Sequence, residues 1–189
     1  EIFKEAQEVA ISLGDEWPDD EQAITVIHRL AHLGDLASKS LLDGEHISES
    51  QLYSEVAALE QNNGWSILIP LLSRMWWKRR WTIQEMVLAR SAVLFIGNMA
   101  FSFDVIDRFV EAEPLIRSCL DEVHGPHGYG FHEVFDSQGW DNIRNLSRSR
   151  QEYNKSGPID LSKLLWRFRL HTGMYREDII RTIAPLTWS

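Results

Sequence analysis

The chain has 189 residues, a length at which one domain can bury a substantial core. Its formal net charge of -9 argues against a nucleic-acid binder, because phosphate contacts need a basic field. Its single cysteine, Cys119, excludes an intrachain disulfide and fits a reducing, cytoplasmic compartment, and no apolar run approaches the length that crosses a bilayer.

The first third of the chain predicts short elements separated by acidic or polar stretches. These elements are a helix end at Ile2 to Ala6, a buried strand at Val9 to Leu13 closed by Gly14, a helix from Glu21 to Leu33 ended by Gly34, and short helices and loops from Leu36 to Glu60. A strand as short as Val9 to Leu13 needs at least one partner strand.

Residues 74–85, here called the Trp/Arg segment, combine three tryptophans with four basic residues, a glutamine and a glutamate. They are expected within a long helix or helix pair from Trp65 to Arg90. On a helix, Trp77, Trp81 and Glu85 would share one face. Tryptophan gains by burial, whereas a carboxylate is rarely buried unless it is paired. The segment therefore predicts either a buried ion pair at Glu85 or a site at which this carboxylate acts.

The second half of the chain predicts a hairpin followed by helices. The predicted elements are strands at Ala92 to Ile96 and Ala100 to Phe103 around the turn Gly97-Asn98, a helix from Val105 to Cys119 or beyond with Asp104 as its cap and Pro114 as a kink or break, and helices at Leu161 to His171, capped by Asp160, and at Glu177 to Ala184. These elements predict a single helix-dominated α/β domain over residues 1–189, in which a small sheet is flanked by helices.

Three stretches of the sequence carry a family resemblance. They are Phe3 to Gly14, the pattern Trp76-x-x-Arg79-x-Trp81-x-Ile83-Gln84-Glu85 with the following strand to Gly97, and Leu164 to Arg169 with Arg176-Glu177-Asp178 and Ile183 to Leu186. Together they resemble the HET domain of fungal heterokaryon-incompatibility proteins. The sequence departs from that family in having Ser12 where the family has tryptophan, and Arg176 and Glu177 where it has proline and arginine. The family's opening block, Asp-x-x-Cys-Ile-Asn-Gln, is absent, so the resemblance implies a domain truncated at its N-terminus.

The resemblance implies a cytoplasmic signalling or effector domain in fungal non-self recognition, whose activation by protein partners or self-association leads to programmed cell death. It also implies structural roles for the motif residues, which are Gly14, Trp76, Arg79, Trp81, Gln84, Gly97, Arg169 and Asp178. A distant likeness to TIR domains gives the first alternative, a nucleotide glycohydrolase that cleaves NAD with Glu85 as the catalytic carboxylate. The second alternative is a structural interaction module without activity.

The histidines do not predict a metal site. His124, His127 and His132 lie in a stretch rich in glycine and without a helical period, which favours a solvated loop. His28 and His32 are one helical turn apart without a third ligand nearby and are expected at the surface. Ser147 and Ser149 lie in a basic polar stretch that predicts a loop or an exposed helix, so Ser-His-Asp chemistry is not predicted.

Overall fold

The computed structural model describes residues 2–43, 53–54, 56–59, 64–79, 81–124, 129–169 and 181–187. It is 67% helical, which confirms the predicted helix-dominated α/β class with a small sheet. The helices are α1 (Ile2–Glu5), α2 (Asp20–Asp43), α3 (Leu68–Leu72), α4 (Thr82–Val87), α5 (Phe103–His124), α6 (Tyr129–Phe135), α7 (Gln138–Ser156) and α8 (Leu161–Arg167), with 3₁₀ helices at Met75–Lys78 and Ala184–Leu186; the strands are β1 (Val9–Ser12), β2 (Ala92–Ile96) and β3 (Met99–Ser102). No helix among these residues is long and apolar enough to cross a membrane.

The chain divides into two compact units. Unit 1 comprises residues 1–16, 73–103 and 138–189, and unit 2 comprises residues 17–72 and 104–137. Each unit is therefore assembled from segments that are far apart in the sequence.

Unit 1 contains a mixed sheet of three strands in the order β1-β2-β3. β1 pairs with β2 in parallel, with Ile11 opposite Leu94, and β2 pairs with β3 in antiparallel, with Leu94 opposite Phe101. These three side chains lie on one face of the sheet and are buried. The predicted strand and hairpin are both confirmed, but the prediction of a buried strand at Val9 to Leu13 is wrong for one of its faces, since Ala10 and Ser12 are exposed.

The longest helix of unit 1, α7, packs against α4 and against the first 3₁₀ helix. Its buried side chains include Trp140, Ile143 and Leu146, and also Ser147 and Ser149. The interpretation of the two serines as loop or exposed residues is therefore wrong. Their apolar neighbours, repeated every three or four residues, place the serines on the inner side of the helix.

Two predicted boundaries in unit 2 are also wrong. Helix α2 continues past Gly34, because this glycine allows a close helix contact: a Cβ atom here would lie 2.7 Å from the Cβ of Ala112. Helix α5 begins at Phe103, so Asp104 lies inside its first turn instead of capping it. The helix continues through Pro114, so of the predicted kink or break at this residue the break is wrong.

The core of unit 2 is aromatic. Phe135 lies at its centre, with ring centroids 5.5 Å from Trp65, 6.0 Å from Phe109 and 6.3 Å from Phe131. Phe131 and Phe135 belong to α6, which lies in the stretch that was predicted to be a solvated loop. The prediction of a loop failed because the glycines around this short helix hide the helical spacing of its two buried phenylalanines.

The beginning of the helix near the C-terminus of unit 1 follows its prediction. The Asp160 carboxylate accepts a hydrogen bond from the Lys163 N–H and caps α8 as predicted. Hydrogen bonds from the Ser162 hydroxyl and the Lys163 N–H hold the pKa of Asp160 below its ordinary value. Helix α8 ends at Arg167, short of the predicted His171, and most of the predicted helix at 177–184 lies outside the described residues.

Candidate functional site

The Trp/Arg segment is not one continuous helix. A 3₁₀ helix at Met75–Lys78 gives way to extended backbone at Arg79, with φ -78° and ψ 138°, before α4 begins at Thr82. The predicted common face of Trp77, Trp81 and Glu85 is therefore wrong, because the extended residue interrupts the helical period. Arg80 lies outside the described residues.

The inner part of the segment builds the core of unit 1. Trp76 and Trp77 are buried and meet edge to face, with ring centroids 5.0 Å apart and an interplanar angle of 84°. The Trp77 ring lies 6.5 Å from that of Phe103, which follows β3. Such edge-to-face pairs add about 0.5–1.5 kcal/mol beyond the burial of their area. These two tryptophans therefore have the structural role that the family resemblance implies for Trp76.

Arg74 is the member of the segment that sequence reasoning missed. Its side chain is buried, and Nη1 donates to the carbonyl oxygens of Leu13 at 2.8 Å and Asp15 at 2.9 Å. A buried guanidinium needs such acceptors, since its desolvation is unfavourable. Arg74 thus fixes the end of β1 from a position about sixty residues away in sequence.

The two glycines that were singled out both lie at the end of the β1–β2 pair. Gly14 has φ +106° and Gly97 has φ +53°, values that favour glycine. The Gly97 N–H donates to the Gly14 carbonyl at 3.1 Å, and a Cβ on Gly14 would lie 3.4 Å from Nη1 of Arg74. Both glycines therefore have conformational roles next to the Arg74 contact.

Gln84 joins the Trp/Arg segment to the C-terminal part of unit 1. Its side-chain amide nitrogen donates to the carbonyl oxygens of Arg181 at 3.0 Å and Thr182 at 2.7 Å. Because an amide donor satisfies two backbone acceptors here, a structural role is supported for this motif residue.

Glu85 is half-buried on α4. Within the part of the chain that the structure describes, its carboxylate makes no ion pair and no side-chain hydrogen bond. The predicted ion pair is thus not found among these residues. Glu85 is not among the residues that line the two cavities of unit 2 given below.

The outer members of the segment point to solvent. Met75 is 67% exposed and Trp81 is 49% exposed, and Arg79 is exposed as well. An exposed tryptophan beside a cation is typical of protein interaction sites. The segment therefore has two sides, one that builds the core of unit 1 and one that is accessible.

A charged network connects α7 to α8. The Glu152 carboxylate accepts from Lys163 Nζ at 2.7 Å and from Arg167 Nη2 at 2.8 Å, and Arg167 Nη1 also donates to the buried Ser149 hydroxyl at 3.0 Å. Burial raises the pKa of Glu152, but the hydrogen bonds and charges of these two cations outweigh it and lower the pKa below 4.5. The network places α8 against α7.

Arg169 does not join this network. Its guanidinium lies 4.0 Å from the centroid of the exposed Trp166 ring, in a cation–π arrangement at the surface. Asp178, the other predicted residue of the third resembling stretch, lies outside the described residues.

The histidines form no metal site in the described part of the chain, where no group of three or more possible ligands is found. His28 and His32 are exposed, as predicted. His132 lies on α6 with Nδ1 3.4 Å from the Asp136 carboxylate, so its assignment to a solvated loop is wrong. The side chains of His124 and His127 are outside the described residues.

Two cavities lined by described residues lie in unit 2. The larger of these, of about 360 Å³, has Glu21 and Thr25 of α2 and Leu59 and Ile67 in its walls. The smaller, of about 190 Å³, is lined by Trp17, Pro18, Asp19, Asp20, Ile67 and Pro70. Neither contains a residue that the sequence had singled out.

Comparison with known proteins was made at three levels. No protein-family model, no curated protein and no solved structure matches this chain. The expected distant likeness to TIR domains therefore gains no support, and the family resemblance rests on the residues quoted above.

Proposed function

We propose that this chain is a signalling or effector domain of fungal non-self recognition, which acts in the cytoplasm through protein partners or self-association and leads to programmed cell death. The proposal rests on the resemblance of its three stretches to the HET domain. The central stretch, Trp76 to Glu85, is the most specific of the three.

One structural observation supports it most. The described residues of all three resembling stretches belong to unit 1, and the long intervening segments 17–72 and 104–137 form unit 2. Within unit 1, β1 of the first stretch pairs with β2 of the second, and Gln84 of the second binds the carbonyl oxygens of Arg181 and Thr182, which directly precede the last part of the third. Stretches that resemble one domain are expected to assemble in this way.

The accessible side of the Trp/Arg segment supports a partner-dependent mechanism. Trp81 and Arg79 belong to the most specific stretch, yet neither is used in the core. Tryptophan and arginine are the residues most enriched at energetically important positions of interfaces. We assign these two side chains to partner contact in the proposed signalling state.

A second candidate function is NAD cleavage with Glu85 as the catalytic carboxylate. The observation in its favour is that this half-buried carboxylate is not engaged by any described residue. A carboxylate that acts as general acid-base or binds a ribose hydroxyl must be accessible in this way. The cell-death and glycohydrolase functions are compatible, since a death effector can act by depleting NAD.

Inducible expression of the chain in a filamentous fungus separates these functions. The signalling proposal predicts loss of viability after induction of the wild-type chain. If Glu85→Gln kills at full strength while cellular NAD stays constant, NAD cleavage is excluded and signalling is retained. If NAD falls with the wild type and not with Glu85→Gln, the enzyme is favoured. If the wild-type chain is folded and changes neither viability nor the cellular NAD concentration, the remaining hypothesis is a structural interaction module without activity.

A further inference from the structure

Within the described part of the chain, the outer edge of β1 presents backbone groups that pair with no other strand. The Val9 N–H donates to Ser91 at 2.9 Å and the Leu13 N–H to Phe95 at 2.8 Å, so the odd-numbered residues of this strand face β2. Successive residues of a strand direct their N–H and C=O groups to opposite sides. The groups of Ala10 and Ser12 therefore face away from β2, and no other strand of the described residues pairs with them.

One face of the same sheet is also uncovered. The register places Ala10 beside Val93, and Ser12 beside Phe95 and Ala100. Of these side chains only Val93 is half-buried, and the others are exposed. Parallel strand pairs are usually covered on both faces. The exposed face of the β1–β2 pair therefore differs from that of most parallel pairs, in addition to the accessible edge of β1.

The strand also lacks the usual protection of an edge. Val9 to Ser12 contains no proline and no charged residue, which are common features that keep an edge strand from pairing. Its side chains are small or β-branched, so another strand can approach without steric conflict. The edge offers the N–H and C=O groups of two residues, which suits a short segment.

The charges at the two ends of β1 indicate what kind of strand fits. Glu5 precedes the strand and Asp15 follows it, and both are exposed. Glu8 and Glu16 are also exposed but lie toward β2, where Glu8 accepts from the Ser91 hydroxyl at 3.5 Å and Glu16 lies beside Gly97. An antiparallel second copy would bring the acidic residues of one end against those of the other, in chains whose net charge is already -9. A segment with basic residues on both sides would instead meet opposite charge at each end.

We propose that the outer edge of β1 binds an extended segment of a partner protein, apolar or β-branched at its centre and flanked by Lys or Arg, as a fourth strand of the sheet. Strand addition of this kind draws its affinity from main-chain hydrogen bonds and its specificity from the flanking side chains. The proposed binding of this segment is inferred from the sheet alone. Only its biological consequence rests on the proposed signalling function.

Fluorescence anisotropy with the labelled peptide Lys-Lys-Val-Thr-Val-Thr-Val-Lys-Lys tests the proposal on the chain itself. Ala10→Pro removes the N–H that faces the edge and leaves the β1–β2 hydrogen bonds intact, since proline is tolerated at an edge. This variant should bind the peptide at least about tenfold more weakly than the wild type, whereas Ala10→Thr, which keeps the N–H, should bind within about twofold. A peptide with glutamate in place of every lysine should also bind at least about tenfold more weakly, and added salt should reduce that difference.

Amide exchange keeps the test decisive if Ala10→Pro does not fold. Peptide addition to the wild type should slow exchange of the Ala10 and Ser12 amides and leave that of Val9, already bonded to β2, nearly unchanged. The proposal is overturned if the peptide does not bind, if it binds Ala10→Pro equally well, or if both amides are already protected without peptide. Sedimentation that shows a dimer abolished by Ala10→Pro would identify a second copy as the occupant and overturn the basic partner segment. None of these measurements involves cell death, so their failure is distinct from failure of the proposed function.

Discussion

Replacing Arg74 by alanine tests how unit 1 is held together. The buried guanidinium donates to two carbonyl oxygens, at 2.8 and 2.9 Å, and a hydrogen bond to a charged group contributes about 1.5–3 kcal/mol. Removal of the side chain also leaves the Leu13 and Asp15 carbonyls without this donor and exposes the apolar surface that its methylene groups cover. We therefore expect Arg74→Ala to lower the free energy of unfolding by about 3–5 kcal/mol.

The free energy of unfolding can be measured by urea denaturation followed by both circular dichroism and tryptophan fluorescence, since coincident transitions justify a two-state treatment. Arg74→Lys keeps the charge and one nitrogen donor on a shorter side chain, so about half of the effect should remain. Arg79→Ala, at an exposed neighbour, should change the value by less than about 0.5 kcal/mol. A loss of under about 1 kcal/mol for Arg74→Ala would refute the reasoning, because two charge-assisted hydrogen bonds at a buried site cannot then contribute as argued.

Three further predictions use the same denaturation assay. Gln84→Ala should lower the free energy of unfolding by about 1–2 kcal/mol. The neighbouring Glu85→Gln should change this free energy by less than about 0.5 kcal/mol. A loss of about 3–5 kcal/mol for Glu85→Gln would instead indicate that a buried ion pair has been broken. Because folding lowers the pKa of Glu152, the ionised carboxylate stabilises the protein at pH values above its ordinary pKa. The difference in the free energy of unfolding between the wild type and Glu152→Gln should therefore shrink as the pH falls through the lowered pKa. A difference that does not change with pH would contradict the network. Gly34→Ala should destabilise by about 1–3 kcal/mol through overpacking against Ala112, and adding Ala112→Gly should recover part of this loss, whereas strictly additive effects would show that the two sites do not touch.

The sheet could be predicted from sequence because its signals are local. The apolar runs at Val9 to Leu13 and Ala92 to Ile96 are bounded by turn residues, and the Gly97-Asn98 dipeptide sets the hairpin. The cap at Asp160 was equally local. In each case the residues that determine the conformation lie within a few positions of the element.

The breaks in the Trp/Arg segment could not be predicted in the same way. Trp, Lys and Arg are all compatible with a helix, and no glycine or proline marks the extended residue at Arg79. At Gly34 the local signal is present but points the other way: glycine normally marks the end of a helix, and here it allows α2 to contact α5. Tertiary packing overrides the local preference at both positions.

The structural roles of Arg74 and Gln84 depend on partners far away in the chain. Their acceptors are backbone carbonyls at Leu13, Asp15, Arg181 and Thr182, and a backbone carbonyl leaves no signal in the sequence. The family resemblance drew attention to Gln84 but not to Arg74. The one available signal for Arg74 was its position two residues before the Trp76-Trp77 pair, where a cation must either reach solvent or find acceptors.

Viability after induced expression in a filamentous fungus, compared between Trp81→Ala and Trp17→Ala, tests whether the exposed side of the Trp/Arg segment is needed for cell death. The two tryptophans are nearly equally exposed, at 49% and 47%, but only Trp81 belongs to the resembling stretches in unit 1. We expect the wild type and Trp17→Ala to kill the cells, whereas Trp81→Ala should accumulate as a folded protein and leave them alive. Equal killing by the two variants, or survival of cells that express the folded wild type, would contradict this expectation.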